Sequence, residues 1–150
     1  MTDDSTTKTG FTDAERAAMQ QRAAEMKSMK GVKGAAKKAK ELEACLAVID
    51  ALEGTDRVIA ERLHVIVSEE APELDAKTWY GFPTYAKDGK NIVFFQPASK
   101  FDTRYGTVSF DEAAAIDDGE MWAVSYAVIE MTDAAEKKIR ALVKKAVGSA

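Results

Sequence analysis

The sequence predicts an α+β domain, an antiparallel sheet of four or five strands with helices packed on one face. Three observations carry this. Apolar residues recur every three or four positions up to Pro72, and every two positions after it. Asp88-Gly89 lies between two short runs rich in β-branched and aromatic residues, a strong hairpin signal. A last helical stretch follows the strands, so helices and strands are segregated along the chain.

Thr12 with Glu15 forms a capping-box pattern and opens a helix that runs to about Ser28. Its stripe, Met19, Ala23 and Met26, is weak, and Gly31 and Gly34 interrupt it. The second helix, about Lys37 to Glu53, places Leu42, Cys45, Leu46, Ile49 and Leu52 on one face, with Gly54 as its left-handed cap. The third, about Asp56 to Glu70, carries Ile59, Leu63, Ile66 and Val67 and is closed by Pro72. Strands fit Thr84 to Ala86, Ile92 to Phe95, Tyr105 to Phe110 and Ala123 to Glu130. Asp111 to Ile116 reads as a short helical turn capped by Asp111. Thr132 or Asp133 caps the closing helix, which buries Ile139, Leu142 and Val143. The expected core joins Cys45, Leu46, Ile49, Leu63, Ile66, Ile139 and Leu142.

With 150 residues, the chain has room for one domain. Residues 1–36 read as a disordered tail, a loosely packed helix and a basic linker, and residues 37–150 as the single domain. No apolar run approaches the ~20 residues of a membrane span, and Met1 to Gly10 has no signal-peptide core, so a soluble cytoplasmic protein without a membrane partner is expected. Residues 1–40 hold nine basic and five acidic residues, a balance of +4, against twelve and twenty, or −8, in the remainder. An acidic body argues against nucleic acid as the main partner. Lys27, Lys30, Lys33, Lys37, Lys38 and Lys40 read as a solvated linker, since no aromatic residues interleave them.

Chemistry is sparse. His64 is the single imidazole and reads as structural, and Cys45 on the apolar stripe reads as an inert core thiol. There is no GxGxxG, P-loop or HExxH motif, and no nucleophile–base pair can be named. Eleven of the twelve aromatic residues fall between Trp79 and Tyr126. Some must face the helices, and the others are free to line a groove on the uncovered face. Gly81 and Pro83 break the element from Trp79 to Tyr85, so its aromatics can turn out of the ladder. Trp79, Tyr80, Tyr85, Lys100, Arg104 and Tyr105 are therefore the candidate ligand-binding set, with Tyr80, Tyr85, Arg104 and Tyr105 converging on a site for an anionic or aromatic small molecule or a peptide. Asp111, Glu112, Asp117, Asp118 and Glu120 form the alternative, an acidic loop of a kind that binds hard cations, without EF-hand spacing.

The run Trp79-Tyr80-Gly81-Phe82-Pro83-Thr84-Tyr85, with Asp88-Gly89-Lys90, Val93-Phe94-Phe95 and the segment Lys100 to Tyr105, resembles the YdhG-like family of small bacterial proteins. The similarity extends from about Lys37 to Val147. Phe82 stands where the family commonly has methionine, and Phe101-Asp102-Thr103 replaces a histidine- or leucine-rich stretch. The resemblance implies an α+β fold and, through one branch, a frataxin-like intracellular iron chaperone, with iron as the cargo. It carries no iron-ligand motif onto particular residues. Two functional expectations result: a non-enzymatic binding protein with an aromatic groove and no cofactor, or an iron chaperone acting through carboxylates. Oligomeric state is not legible.

Overall fold

The computed structural model describes residues 10–148. The expected disorder of the tail thus concerns residues outside those described, apart from Gly10. Four helices, α1 (Asp13–Ser28), α2 (Gly34–Ala51), α3 (Gly54–Glu70) and α4 (Asp133–Ala146), accompany five strands, β1 (Asp75–Trp79), β2 (Phe82–Lys87), β3 (Lys90–Gln96), β4 (Gly106–Phe110) and β5 (Ser125–Val128). The strands form one antiparallel sheet in sequence order, and the fold is α+β. Among the described residues, no helix is long and apolar enough to cross a membrane.

Side chains alternate across the sheet, so register decides what each face carries. Tyr85 pairs with Val93, Phe95 with Val108, and Val108 with Tyr126, which sets these residues on one face. That face meets Cys45 and Ile49 of α2, Ile59, Leu63 and Ile66 of α3, and Ile139 and Val143 of α4 in one buried core. The opposite face carries Phe82, Thr84, Phe94 and Gln96 at the intervening positions. Here α1 packs, so the helices do not all lie on one side.

Most elements start and stop where local chemistry directs. Both hydrogen bonds of the Thr12–Glu15 capping box are made. Thr132 caps α4 through Ala135 N–H. Asp88 and Gly89, both at positive φ, turn β2 into β3.

Four expectations need correction. Leu46 is exposed rather than buried, and Leu42 is exposed too, while Cys45 and Ile49 enter the core and Leu142 packs at its margin. The rotation follows from the sheet: α2 lies along β1 and β2, which takes its Cys45 and Ile49 side and leaves Leu42 and Leu46 outside that contact. Gly54 has φ +56° but opens α3 instead of capping α2, whose end is the extended Leu52. The stretch from Asp111 to Ile116 makes a turn and no helix, because Ala114 and Ile116 are drawn into the core and Ala115 N–H is bonded to Ala146 O. The lysine-rich linker is largely helical, with only the residues between Ser28 and Gly34 joining α1 to α2. Lys40 donates to Ser28 O, and Lys38 lies 3.6 Å from Asp75.

Candidate functional site

The expected break is only the two-residue loop of a β1–β2 hairpin, and Pro83 lies within β2, paired with Thr78. Trp79 pairs with Phe82, leaving Tyr80 (φ +55°) and Gly81 (φ +77°) as the two central residues of the loop. A two-residue hairpin loop of this hand needs positive φ at both positions, which is uncommon for tyrosine. The cost is offset from α1: the Glu25 carboxylate accepts from Tyr80 N–H at 3.0 Å and Gly81 N–H at 2.8 Å. Glycine suits position 81 through its positive φ, whereas an added Cβ would meet only the movable ends of Gln21 and Lys100, at 2.5 and 2.6 Å. Lys100 donates to Gln21 Oε1, and partial burial holds its amine below the usual lysine range. Two backbone N–H groups of Ala98 and Ser99, bonded to the Asp56 carboxylate, fix the short turn that carries Lys100.

The hairpin organises an aromatic cluster on the second face of the sheet. Trp79 stands edge-on to Tyr80, Phe82 and Phe94 at centroid distances of 5.0, 6.4 and 5.2 Å. Phe82 stacks on Phe94 at 6.0 Å and meets Phe101 edge-on at 6.1 Å. Between this cluster and α1 runs an open groove of about 560 Å³, walled by Phe11, Ala18, Met19, Tyr80, Phe82 and Phe101. Thr12, Glu15 and Gln96 supply its polar rim. Lys100 Nζ lies 5.5 Å from the Phe82 centroid, beside the groove.

Of the expected set, the fold gathers Trp79, Tyr80 and Lys100. Tyr85 is excluded by strand alternation: it lies on the other face, almost fully buried, and cannot converge with Tyr80. Arg104 and Tyr105 do not line the groove. They form their own pair, with the guanidinium 5.2 Å from the tyrosine centroid, at the start of β4. Phe11, Met19 and Phe101 went unrecognised as walls, since two belong to the weakly patterned N-terminal segment and the third to a non-repetitive turn. Asp111, Glu112, Asp117, Asp118 and Glu120 are all exposed, and among the described residues no three His, Cys, Asp or Glu side chains gather as a metal site. The apolar members of the loop turn inward, which spreads its carboxylates into solvent, and Asp111 Oδ1 is taken by Glu112 N–H.

No family model, curated protein or solved structure matches this chain.

Beneath the helix-covered face lies a second polar arrangement. His64 Nδ1 is 2.9 Å from the Tyr85 hydroxyl, and the Cys45 thiol is buried in the same core. Burial pushes that thiol up to about 11, so it is neutral and a poor nucleophile near neutrality. Burial also lowers the affinity of His64 for a proton. The unfolded chain then binds this proton more readily than the folded one, so the contribution of His64 to stability is full above its ordinary value of ~6.5 and falls as pH drops through the depressed one. Urea midpoints taken from about pH 7.5 to about pH 5 should decline, and His64→Gln should flatten that part of the profile. An unchanged profile in the variant would assign the decline to other groups.

Proposed function

We propose that this protein is a non-enzymatic binding protein that holds an aromatic, anionic small molecule in the groove between α1 and the β1–β2 hairpin. One observation carries the reading: an open groove of about 560 Å³ with four aromatic walls, Phe11, Tyr80, Phe82 and Phe101. Its size falls within the ~300–1,000 Å³ of small-molecule sites, and a few polar groups at an apolar wall are what such sites use for orientation. Lys100, behind the Phe82 wall and shared with Gln21, supports a negative group on the ligand. Membership of the YdhG-like family is part of the proposal, resting on the Trp79–Tyr85 element, whose Tyr80 and Phe82 wall the groove. So is a cytoplasmic setting, supported by a lone buried free thiol at Cys45.

The anionic dye 1-anilinonaphthalene-8-sulfonate serves as a first probe. Its fluorescence is expected to rise on the folded protein, and Phe101→Ala should weaken binding by about tenfold, the loss of one aromatic wall. Near-UV circular dichroism of the variant must match the parent, since dye uptake by a loosened core would mimic a site. Equal affinity in Phe101→Ala and the parent would refute the groove as the binding place.

A further inference from the structure

The two edges of the sheet are built differently. β1 carries Asp75 and Lys77, and its flank is covered by α1 and α2. Charges and cover of this kind blunt an edge strand against pairing with another chain. β5, at the far edge, consists of Ser125, Tyr126, Ala127 and Val128 and has no charge, proline or bulge. Phe110 N–H is bonded to Val124 O, and the same register pairs Val108 with Tyr126 and Gly106 with Val128. Hydrogen-bonded pairs alternate in an antiparallel ladder. The N–H and C=O groups of Ser125 and Ala127 therefore point away from β4. Among the described residues, they meet no further strand.

The flanks of this edge are apolar and open. Met121 is 89% exposed, Ile129 64% and Val124 48%, with Trp122 partly exposed between them. The chain leading into and out of β5 is mostly acidic: Asp111, Glu112, Asp117, Asp118 and Glu120 before it and Glu130 after it are all exposed, whereas Glu136 is taken by Arg62 and Arg140. Two cations lie at its margins: Lys138 of α4 sits over the Tyr126 ring, 5.5 Å from its centroid, and Arg104 lies two residues before Gly106, the partner of Val128. A second copy of this chain would bring a second set of carboxylates to the same edge. A basic partner would meet complementary charge.

We propose that β5 is a docking edge for an extended, basic segment of a partner protein, which adds as a sixth strand. Main-chain bonds to Ser125 and Ala127 supply affinity, alternate apolar side chains of the segment cover Trp122 and Val124, and its cations face the surrounding carboxylates.

The test uses the full chain, labelled with nitrogen-15, and the acetylated peptide (Lys-Val)4 as probe, with (Glu-Val)4 as its acidic counterpart. The basic peptide should shift the Ser125 and Ala127 amides, slow their hydrogen exchange and bind about tenfold more tightly than the acidic one. Ala127→Pro removes an outward N–H without breaking a ladder bond and should weaken binding by a similar factor. Trp122→Ala, outside every strand, should weaken it with the ladder intact. Equal binding of the two peptides, or binding unaffected by both substitutions, would overturn the proposal. So would a dimer in sedimentation whose Ser125 and Ala127 amides are protected without peptide, which would give the edge to a second copy.

Discussion

Truncation of Tyr85 to alanine is expected to lower the unfolding free energy by ~3–5 kcal/mol, the usual cost of deleting a buried aromatic side chain. The ring is almost fully enclosed between the sheet and the helices, tilted against His64 at a centroid distance of 5.7 Å, and belongs to the same core as Cys45 and Leu63. Tyr85→Phe keeps the ring and removes only the hydroxyl, so it should cost ~0.5–1.5 kcal/mol, the net worth of a hydrogen bond. Leu46→Ala is the control. Its side chain is 44% exposed, and the change should stay within about 0.5 kcal/mol. Urea midpoints at pH 7.5 measure all three, with an unchanged m-value as the check that the denatured state is the same. A large loss for Leu46 with a small one for Tyr85 would reverse the phasing of both α2 and β2.

These two residues also mark where sequence pattern loses its grip. The stripe of α2 spans Leu42, Cys45, Leu46, Ile49 and Leu52, wide enough to be buried from either flank. The flank is chosen by the sheet, because α2 lies along β1 and β2 and presents Cys45 and Ile49 to them. A break at Gly81 and Pro83 would leave Tyr85 on an open face. The break is a tight loop, so alternation resumes at Phe82 and carries Tyr85 into the core. A loop of Tyr-Gly lacks the usual Asn-Gly or Asp-Gly signature that made the Asp88-Gly89 turn readable. With that loop unread, β1 went unread too. Signals that act within a few residues, such as the Thr12–Glu15 capping box, Pro72 and Thr132, were legible. The aromatic groove is partly legible: of the expected set Tyr80 lines it, with Trp79 and Lys100 against Phe82 behind the wall, whereas Phe11 and Met19 arrive with a helix whose docking contact, Glu25, is 55 residues from Tyr80 in the chain.

Glu25→Ala should release α1 from the sheet while leaving the core folded. Apart from Ala18, α1 has no buried residue, so little apolar area holds it in place. Its attachment is polar: one carboxylate accepts from two backbone N–H groups of a strained hairpin loop, with Arg22 of the same helix 3.4 Å away. Hydrogen bonds to a charged group contribute ~1.5–3 kcal/mol. Because the rest of the core is built by α2, α3, α4 and the sheet, the loss falls on a local opening equilibrium and not on global unfolding. Amide exchange across the docked turns of α1 should then accelerate by roughly 10- to 150-fold, while amides of β3 and α3 keep their protection. Glu25→Gln, which retains one acceptor oxygen, should fall between the parent and Glu25→Ala. The groove ties this to function. Phe11, Ala18 and Met19 form its α1 wall, so dye affinity should fall together with α1 protection. If exchange in α1 stays slow in Glu25→Ala, the carboxylate is not what docks the helix. If exchange quickens and dye binding does not weaken, the aromatic residues of the sheet hold the ligand without α1.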